Sequence, residues 1–167
     1  EELISREGFS HVYSNVYHIH PPTTVDNVGD LNRINLTSAD QTHRHHHIRT
    51  ANLDSKGNAI SSRIPLFFNT DLAISKAHVT DSMDSLYRNG NADEVLFIHR
   101  GSGTFDSNFG NMEIKAGDYI VVPRGVIWQI NVDESMKVLI IESRGPIETP
   151  TKYRNKFGQL LEHSPFS

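Results

Sequence analysis

Short apolar segments separated by turn residues dominate the chain after Pro65. The segments span residues 66–68, 72–74, 95–98, 119–122 and 138–141. Glycine, proline, asparagine and aspartate fall between them, most clearly at Asn89-Gly90, Gly101-Ser102-Gly103 and Asp133-Glu134. Spacings of about seven to a dozen residues are typical of antiparallel sandwiches and barrels. The pattern predicts an all-β fold in which Gly101-Ser102-Gly103 forms a hairpin turn.

The ends of the chain follow a different pattern. Residues 1–64 contain strand-like pieces broken by loops, including a strand at His18-Ile19-His20 that Pro21-Pro22 ends. Residues 153–161 have apolar positions at helical spacing, but Gly158 interrupts them, so we expect a short helix or a structured tail. The sequence predicts an N-terminal extension (1–64) packed on a barrel (65–147), followed by a tail (148–167) that leads to a missing second half.

Composition restricts the chemistry. The 167 residues include 16 Lys and Arg against 20 Asp and Glu, for a net charge of -4, and no cysteine. This balance disfavours nucleic acid as a partner, and the absence of thiols excludes disulfides, iron–sulfur clusters and cysteine nucleophiles. No apolar run approaches the roughly 20 residues that span a bilayer, so we expect no membrane partner. We expect a cytoplasmic protein that is a piece of a longer product.

Two spaced motifs resemble those of the cupin superfamily. The members of that superfamily are small jelly-roll barrels that usually hold one metal ion. Glu94 precedes Gly101 by seven residues, and Gly117, Pro123 and Gly125 follow the pattern G-x-x-x-x-x-P-x-G. Side chains alternate along a strand, so Glu94 can point into the lumen of such a barrel. The chain is therefore expected to form a cupin-type jelly-roll barrel with little helix.

The metal-binding set of this pattern is incomplete. The three positions that carry histidine in cupins hold Arg88, Gly90 and Trp128 in this chain. None of these residues donates a lone pair to Fe²⁺ or Zn²⁺, which predicts a degenerate, metal-free lumen. Because an unpaired buried carboxylate is costly, we expect Glu94 to pair with Arg88 rather than to act as a ligand. We assign no catalytic, cofactor-binding or metal-ligating residue to this chain.

Several longer segments resemble homogentisate 1,2-dioxygenase and its bacterial relatives. The segments that carry the resemblance are YHIHPPT at 17–23, PLFFN at 65–69, NADEVLFIHRGSG at 91–103, GDYIVVPRG at 117–125, YRN at 153–155 and GQLLEH at 158–163. Together they span nearly the whole chain. The resemblance implies an N-terminal, metal-free cupin half of an oligomeric two-half enzyme.

That family implies a specific reaction. Its members use Fe(II) and O₂ to open the aromatic ring of homogentisate, giving maleylacetoacetate in tyrosine and phenylalanine catabolism. The resemblance places the iron, held by two histidines and one glutamate, in the C-terminal half, so no cofactor is expected in this chain. The expected partners are that C-terminal half, further copies of the protein, and the aromatic substrate of the whole enzyme. The chain alone should be inactive.

The histidines allow two interpretations. His18 and His20 would share one side of a strand and could form half of a metal site, although structural histidines are commoner. Four of the ten histidines lie at positions 43, 45, 46 and 47, where an adventitious metal site competes with a solvated loop. Arg44 and Arg49 oppose capture of a cation there, which favours the loop.

Two other functions stay open at this point. The chain could be a stand-alone metal-free cupin that binds or senses a small molecule, with Arg88 meeting a carboxylate in the lumen. It could also be an enzyme that uses a metal bound by the histidine cluster. Serine hydrolysis is not expected, because the sequence contains no G-x-S-x-G nucleophile elbow.

Overall fold

The regular secondary structure of the described residues is almost entirely β-strand, as the sequence predicted. The computed structural model describes residues 1–5, 8–9, 13–30, 36–37 and 44–164. The described residues form ten strands and one turn of 3-10 helix at Thr50–Asn52. The strands are β1 (Glu2–Ser5), β2 (Tyr13–Val16), β3 (Lys56–Gly57), β4 (Ile64–Phe68), β5 (Leu72–Val79), β6 (Tyr87–Arg88), β7 (Asp93–Ser107), β8 (Gly110–Lys115), β9 (Tyr119–Val122) and β10 (Ile127–Ser143). Residues 153–161 form turns and a single Arg154–Leu160 bridge rather than a helix.

The strands form a jelly-roll-like cupin fold that does not close into a barrel. Strands β1 and β2 make a separate hairpin, while an eight-stranded sheet has the central order β3-β5-β10-β7-β8. Strand β4 pairs with β5, β6 with β10, and β9 with β7. The two long central strands, β7 and β10, pass through both halves of this sheet. Side chains from both halves then meet in one core, which fills the interior of the jelly roll.

A β-bulge marks the middle of both long strands. The β7–β10 register shifts between Val132 and Val138, opposite Gly101, whose φ is +87°. The predicted hairpin turn at Gly101-Ser102-Gly103 is therefore wrong, because these residues continue β7 across the bulge. A Cβ on Gly101 would lie 2.4 Å from the Ser135 carbonyl oxygen, so close approach of the two backbones explains the glycine. The glycines do mark a change in the course of the backbone, but that change is a bend within one strand.

The bulge also resets which residues face the core. Before it, Leu96 and Ile98 of β7 are buried, and after it Phe105 is buried, so the inward positions change from even to odd numbers. On β10 the buried residues include Trp128, Ile130, Met136, Val138 and Ile140. These residues and their neighbours form a single hydrophobic cluster. Next to Glu94 on β7, the inward positions are therefore continued by the apolar side chains of Leu96 and Ile98.

The N-terminal segment contributes to this core before Pro65. Strand β3 pairs in parallel with β5, and Ala59 and Ser62 are buried. Lys76 of β5 donates hydrogen bonds to the carbonyl oxygens of Thr50 and Leu53, which ties the 3-10 turn to the sheet.

Among the described residues, no helix is long and apolar enough to cross a membrane.

Candidate functional site

Glu94 points into the interior, as the alternation of β7 predicted, but its cation is not the expected one. Its side chain is fully buried, and its Oε1 accepts a hydrogen bond from Arg63 Nη1 at 2.7 Å. The predicted pair between Arg88 and Glu94 is wrong. Glu94 Oε2 is buried and has no hydrogen-bond partner. The interior therefore contains a neutralised carboxylate with one acceptor oxygen left over.

The register of β6 explains why Arg88 cannot reach Glu94. Tyr87 lies opposite Trp128 and Arg88 lies opposite Ile127 on β10. Facing residues of two paired strands share a side of the sheet, so Tyr87 points inward with Trp128 and Arg88 points outward. Arg88 Nη2 instead donates to Glu2 Oε1 of β1 at 2.8 Å. Gly90 lies in the exposed turn that follows.

Arg63 is held in place by contacts on three sides. Its Nε donates to the Ala59 carbonyl oxygen at 2.9 Å, and its guanidinium carbon lies 5.6 Å from the centre of the Tyr87 ring. Its Nη1 is also 3.7 Å from Glu142 Oε1. Arg63 stands 31 residues before Glu94 in the chain, so no local spacing could have indicated the pair. Nη2 of Arg63 is buried and has no hydrogen-bond partner.

Asn89 completes the bridge between two carboxylates. Glu142 and Glu94 face each other on β10 and β7, an arrangement in which like charges repel. Asn89 Nδ2 donates to Glu94 Oε1 at 3.3 Å and to Glu142 Oε1 at 3.1 Å. Its Oδ1 accepts from the backbone amides of Asn91 and Ala92, which fixes the turn. One guanidinium and one amide therefore hold both carboxylates.

Aromatic rings line the interior beside this cluster. Trp128 is fully buried, stacks on Phe105 at 5.4 Å between ring centres, and meets the edge of Tyr87 at 5.3 Å. Burial raises the pKa of the Tyr87 hydroxyl, and the negative charge of Glu94 raises that pKa further. The indole nitrogen of Trp128 is buried without a hydrogen-bond partner.

Asp93, the residue before Glu94, has a structural task that sequence reasoning missed. It is fully buried, and its Oδ1 accepts from the backbone amide of Arg124 at 3.0 Å and from Arg124 Nε at 3.1 Å. Its Oδ2 accepts from the Ile147 amide at 2.9 Å. Burial raises the pKa of Asp93, but these hydrogen bonds and the Arg124 charge outweigh it and leave the pKa lowered. Asp93 thus fastens the Pro123-Arg124-Gly125 turn to the core.

The histidines singled out from the sequence lie away from this interior wherever the structure describes them. Strand β2 ends at Val16, so His18 and His20 are not neighbours on one strand, and that prediction is wrong. His18 Nε2 lies 2.9 Å from Glu2 Oε2, while His20 is exposed. His45, His46 and His47 are exposed in irregular structure, as a solvated loop requires. His43 lies outside the described residues.

Comparison with known families decides the relationship. The family model described as homogentisate 1,2-dioxygenase N-terminal matches residues 17–152, which is most of the chain. The chain belongs to the homogentisate 1,2-dioxygenase N-terminal family. A Saccharolobus solfataricus protein named "Putative dioxygenase" is 37% identical over 166 residues, covering 98% of this chain. The chain spans 43% of the length of that curated relative.

Solved cupin structures resemble the fold at lower identity. A cupin-2 domain protein from Shewanella frigidimarina is 24% identical, with a TM-score of 0.45 over 50% of this chain and 80% of its own. A cupin protein from Bacteroides fragilis is 21% identical, with a TM-score of 0.45 over 55% of this chain and 85% of its own.

The interior residues do not fit the iron that the dioxygenase family implies. Of the four cupin metal positions, only Glu94 offers a ligand atom inward, and Arg63 already occupies its Oε1. A guanidinium next to a carboxylate repels a divalent cation and competes for the same lone pairs. Within the part of the chain that the structure describes, no three His, Asp or Glu side chains come together as a metal site. The negative charge of Glu94 is neutralised by Arg63 and is not presented to a metal ion.

Proposed function

We propose that this chain is the N-terminal scaffold half of a homogentisate 1,2-dioxygenase-like enzyme, and that it does not catalyse ring cleavage alone. The observation that carries the proposal is the Arg63–Glu94 pair, at 2.7 Å, in a domain of a dioxygenase family. Arg63 neutralises the carboxylate that remains from the cupin metal set, so the domain keeps the fold without a metal. The Fe(II) that opens the aromatic ring then belongs to a second half.

An apolar surface supports a partner for this half. The outward side of β5, β7, β9 and β10, called here the outer face, carries Ile74, Val95, Phe97, Tyr119, Val121, Leu139 and Ile141. Tyr119 is 69% exposed and Val121 is 47% exposed. The outer face includes part of a groove of about 470 Å³ lined by Phe97 and Leu139. An exposed apolar patch of this kind marks an interaction site.

The first experiment tests the division of labour. Homogentisate-dependent O₂ consumption is measured with added Fe(II) for the chain alone and for the chain fused to the remainder of the Saccharolobus relative. We expect no turnover by the chain alone and ring-cleavage product from the fusion. Turnover by the chain alone, abolished by Glu94→Gln, would contradict the proposal, and reading the gene beyond Ser167 shows whether a second cupin half follows.

The second experiment tests the outer face. The isolated chain is expected to self-associate in sedimentation velocity, and Val121→Lys should shift it toward monomer because a charge interrupts the apolar surface. Met112→Lys is the matched control, since Met112 is 49% exposed on β8, outside the outer face. A clean monomer at high concentration, or equal effects of the two variants, counts against the outer face as a docking surface.

A second candidate function, a metal-free small-molecule binding module, rests on the buried polar atoms that lack partners. Among the described residues there are five such atoms, and the three that matter for this function are Arg63 Nη2, Glu94 Oε2 and Trp128 Nε1. With Arg88 turned outward, Arg63 is the guanidinium that a carboxylate ligand would meet. Trp128 is the single tryptophan, so its fluorescence reports on the interior during titration with acetate or glutarate. A saturable change lost in Arg63→Met supports this function, and an unchanged spectrum opposes it.

A further inference from the structure

A serine, a histidine and an aspartate on the outside of the molecule form one hydrogen-bonded chain. Asp54 Oδ1 lies 2.7 Å from His78 Nδ1, and His78 Nε2 lies 3.1 Å from Ser135 Oγ. This trio uses neither the interior cluster nor the family motifs. The two distances fall within the reach that a nucleophile, its general base and the group that orients the base require.

The atoms are arranged in the sense that acyl transfer needs. An aspartate at Nδ1 holds the imidazole with its proton on that nitrogen, which leaves Nε2 free to accept the serine proton. The hydrogen bond from His78 lowers the pKa of the Asp54 carboxyl and keeps it ionised. The His78 side chain is only 13% exposed while Ser135 is exposed, so the base is shielded and the hydroxyl is accessible.

The fold itself positions Ser135. It lies in the β10 bulge opposite Gly101, where the register with β7 breaks between Glu134 and Lys137. Bulges redirect side chains and occur preferentially beside active sites. His78 lies on β5 opposite Lys137, so the regular part of the sheet holds the base while the irregular part presents the nucleophile. The sequence signal was absent because the serine lies on a bulge rather than at a strand-to-helix elbow.

We propose that Ser135 is an acyl-accepting nucleophile, with His78 as its general base and Asp54 as a positioning residue, acting on small carboxylic esters. Ser135 Oγ forms a bond to the acyl carbon as its proton passes to His78 Nε2. The bond from the acyl carbon to the alcohol oxygen breaks, and that oxygen takes the proton from His78. A water molecule then gives its proton to the same nitrogen and its oxygen bonds to the acyl carbon. The bond from that carbon to Ser135 Oγ breaks, Oγ takes the proton back from His78, and the acid is released.

Charges around the trio indicate the class of ester. Lys56 and Lys137 both lie opposite His78, on β3 and β10. Lys137 Nζ lies 3.8 Å from Asp54 Oδ1. One ammonium group in contact with the trio and a second lysine paired with His78 favour a substrate that carries a carboxylate near the ester. Within the trio, His78 lies two residues beyond Lys76 on the same side of β5.

The decisive experiment asks which residue is acylated. The 167-residue chain is treated with a fluorophosphonate probe and, separately, with p-nitrophenyl acetate, followed by peptide mapping and by measuring p-nitrophenolate release. We expect modification at Ser135, loss of both signals in Ser135→Ala, and a rate about 100-fold lower in His78→Asn, the size of a typical general-base contribution. Ser102→Ala is the matched control, since Ser102 lies opposite Glu134 on β7. Modification only elsewhere, or an unchanged rate in Ser135→Ala, overturns the proposal.

Two further comparisons separate positioning from bulk structure. Asp54→Asn should slow the reaction and Asp54→Glu should restore part of the rate, with thermal unfolding showing that each variant is folded. A p-nitrophenyl succinate monoester should react several-fold faster than the acetate, and Lys137→Met should remove that preference. Equal rates for the two esters overturn the anionic substrate class, and failure of Asp54→Glu to restore any rate overturns the role of Asp54.

Discussion

Two arginine–glutamate pairs in this molecule have nearly the same length and very different surroundings. Arg63 and Glu94 are 2.7 Å apart, with 12% and 0% of their side chains exposed. Arg88 and Glu2 are 2.8 Å apart, with 33% and 14% exposed. The first pair lies in the interior of the jelly roll, and the second fastens the β1–β2 hairpin to β6 on the outside.

The comparison teaches that distance alone does not measure the importance of an ion pair. A buried pair has lost its hydration, so removing one partner leaves a charge that nothing compensates. A more exposed pair is partly solvated, and water replaces a lost partner at little cost. In this domain the interior pair includes the one carboxylate of the cupin-like motif, whereas the outer pair connects two segments of chain.

The largest effect is expected from Arg63→Met. Losing one partner of a buried pair typically costs about 3–5 kcal/mol, because Glu94 remains buried and charged. Combining Arg63→Met with Glu94→Leu should recover most of this loss, since the orphaned carboxylate goes as well. Urea unfolding followed by Trp128 fluorescence measures both. Single changes below about 0.5 kcal/mol that simply add would show that Glu94 is solvated.

An intermediate effect is expected from Asp93→Asn. This variant tests whether the burial of the carboxylate or the burial of the arginine sets the energy of an ion pair. Asp93 is fully buried like Glu94, while its partner Arg124 is 31% exposed like Arg88. Hydrogen bonds to a charged group contribute about 1.5–3 kcal/mol, so we expect a loss of that size near pH 7. A loss no larger than that of the outer pair would show that the exposed partner sets the energy.

The same variant gives a pH dependence with a definite sign. The pKa of Asp93 is lowered in the folded chain, so its stabilisation is present above the unfolded pKa of about 3.9 and is lost as pH falls through the folded value. The stability difference between wild type and Asp93→Asn should therefore shrink below about pH 4. Unfolding curves at several pH values measure it, and a difference that grows on acidification would contradict the assignment.

The smallest effect is expected from Arg88→Met. A pair with both partners partly exposed is worth about 0–1 kcal/mol. The residual contribution should disappear in 1 M salt, where the Debye length is about 3 Å. The measurement is urea unfolding at low and high salt, with Arg63→Met alongside as the insensitive comparison. A salt-independent loss above about 2 kcal/mol would place Arg88 in the class of buried partners.

Several parts of the fold and site could be predicted because they depend on local patterns. Alternation along β7 placed Glu94 inside, and strand β9 at Tyr119–Val122 matches the predicted apolar segment. The segments 91–103 and 117–125 were sufficient to indicate the family that the comparison shows. These features depend only on the alternation of side chains along one strand and on the order of short motifs. Both can be seen directly in the sequence.

The remaining errors arose where distant segments meet. Gly101 suggested a turn, yet it allows β10 to approach β7 across the bulge. Arg88 has a spacing that suits Glu94, but its pairing with Ile127 turns it outward. Asp54 and His78 are 24 residues apart along the chain, and His78 and Ser135 are 57 residues apart. No sequence motif connects the three.

By itself, then, the sequence determined that this protein is a β-sheet domain of the cupin type, with an inward carboxylate at Glu94 and an incomplete set of metal ligands. Only the tertiary structure decided that Arg63 neutralises that carboxylate and that Arg88 pairs with Glu2. It also decided that Asp54, His78 and Ser135 meet on the outside of the molecule. The physical reason is that side-chain alternation is a property of one strand. The choice of partner depends on register, bulges and burial, which exist only once strands far apart in the chain have paired.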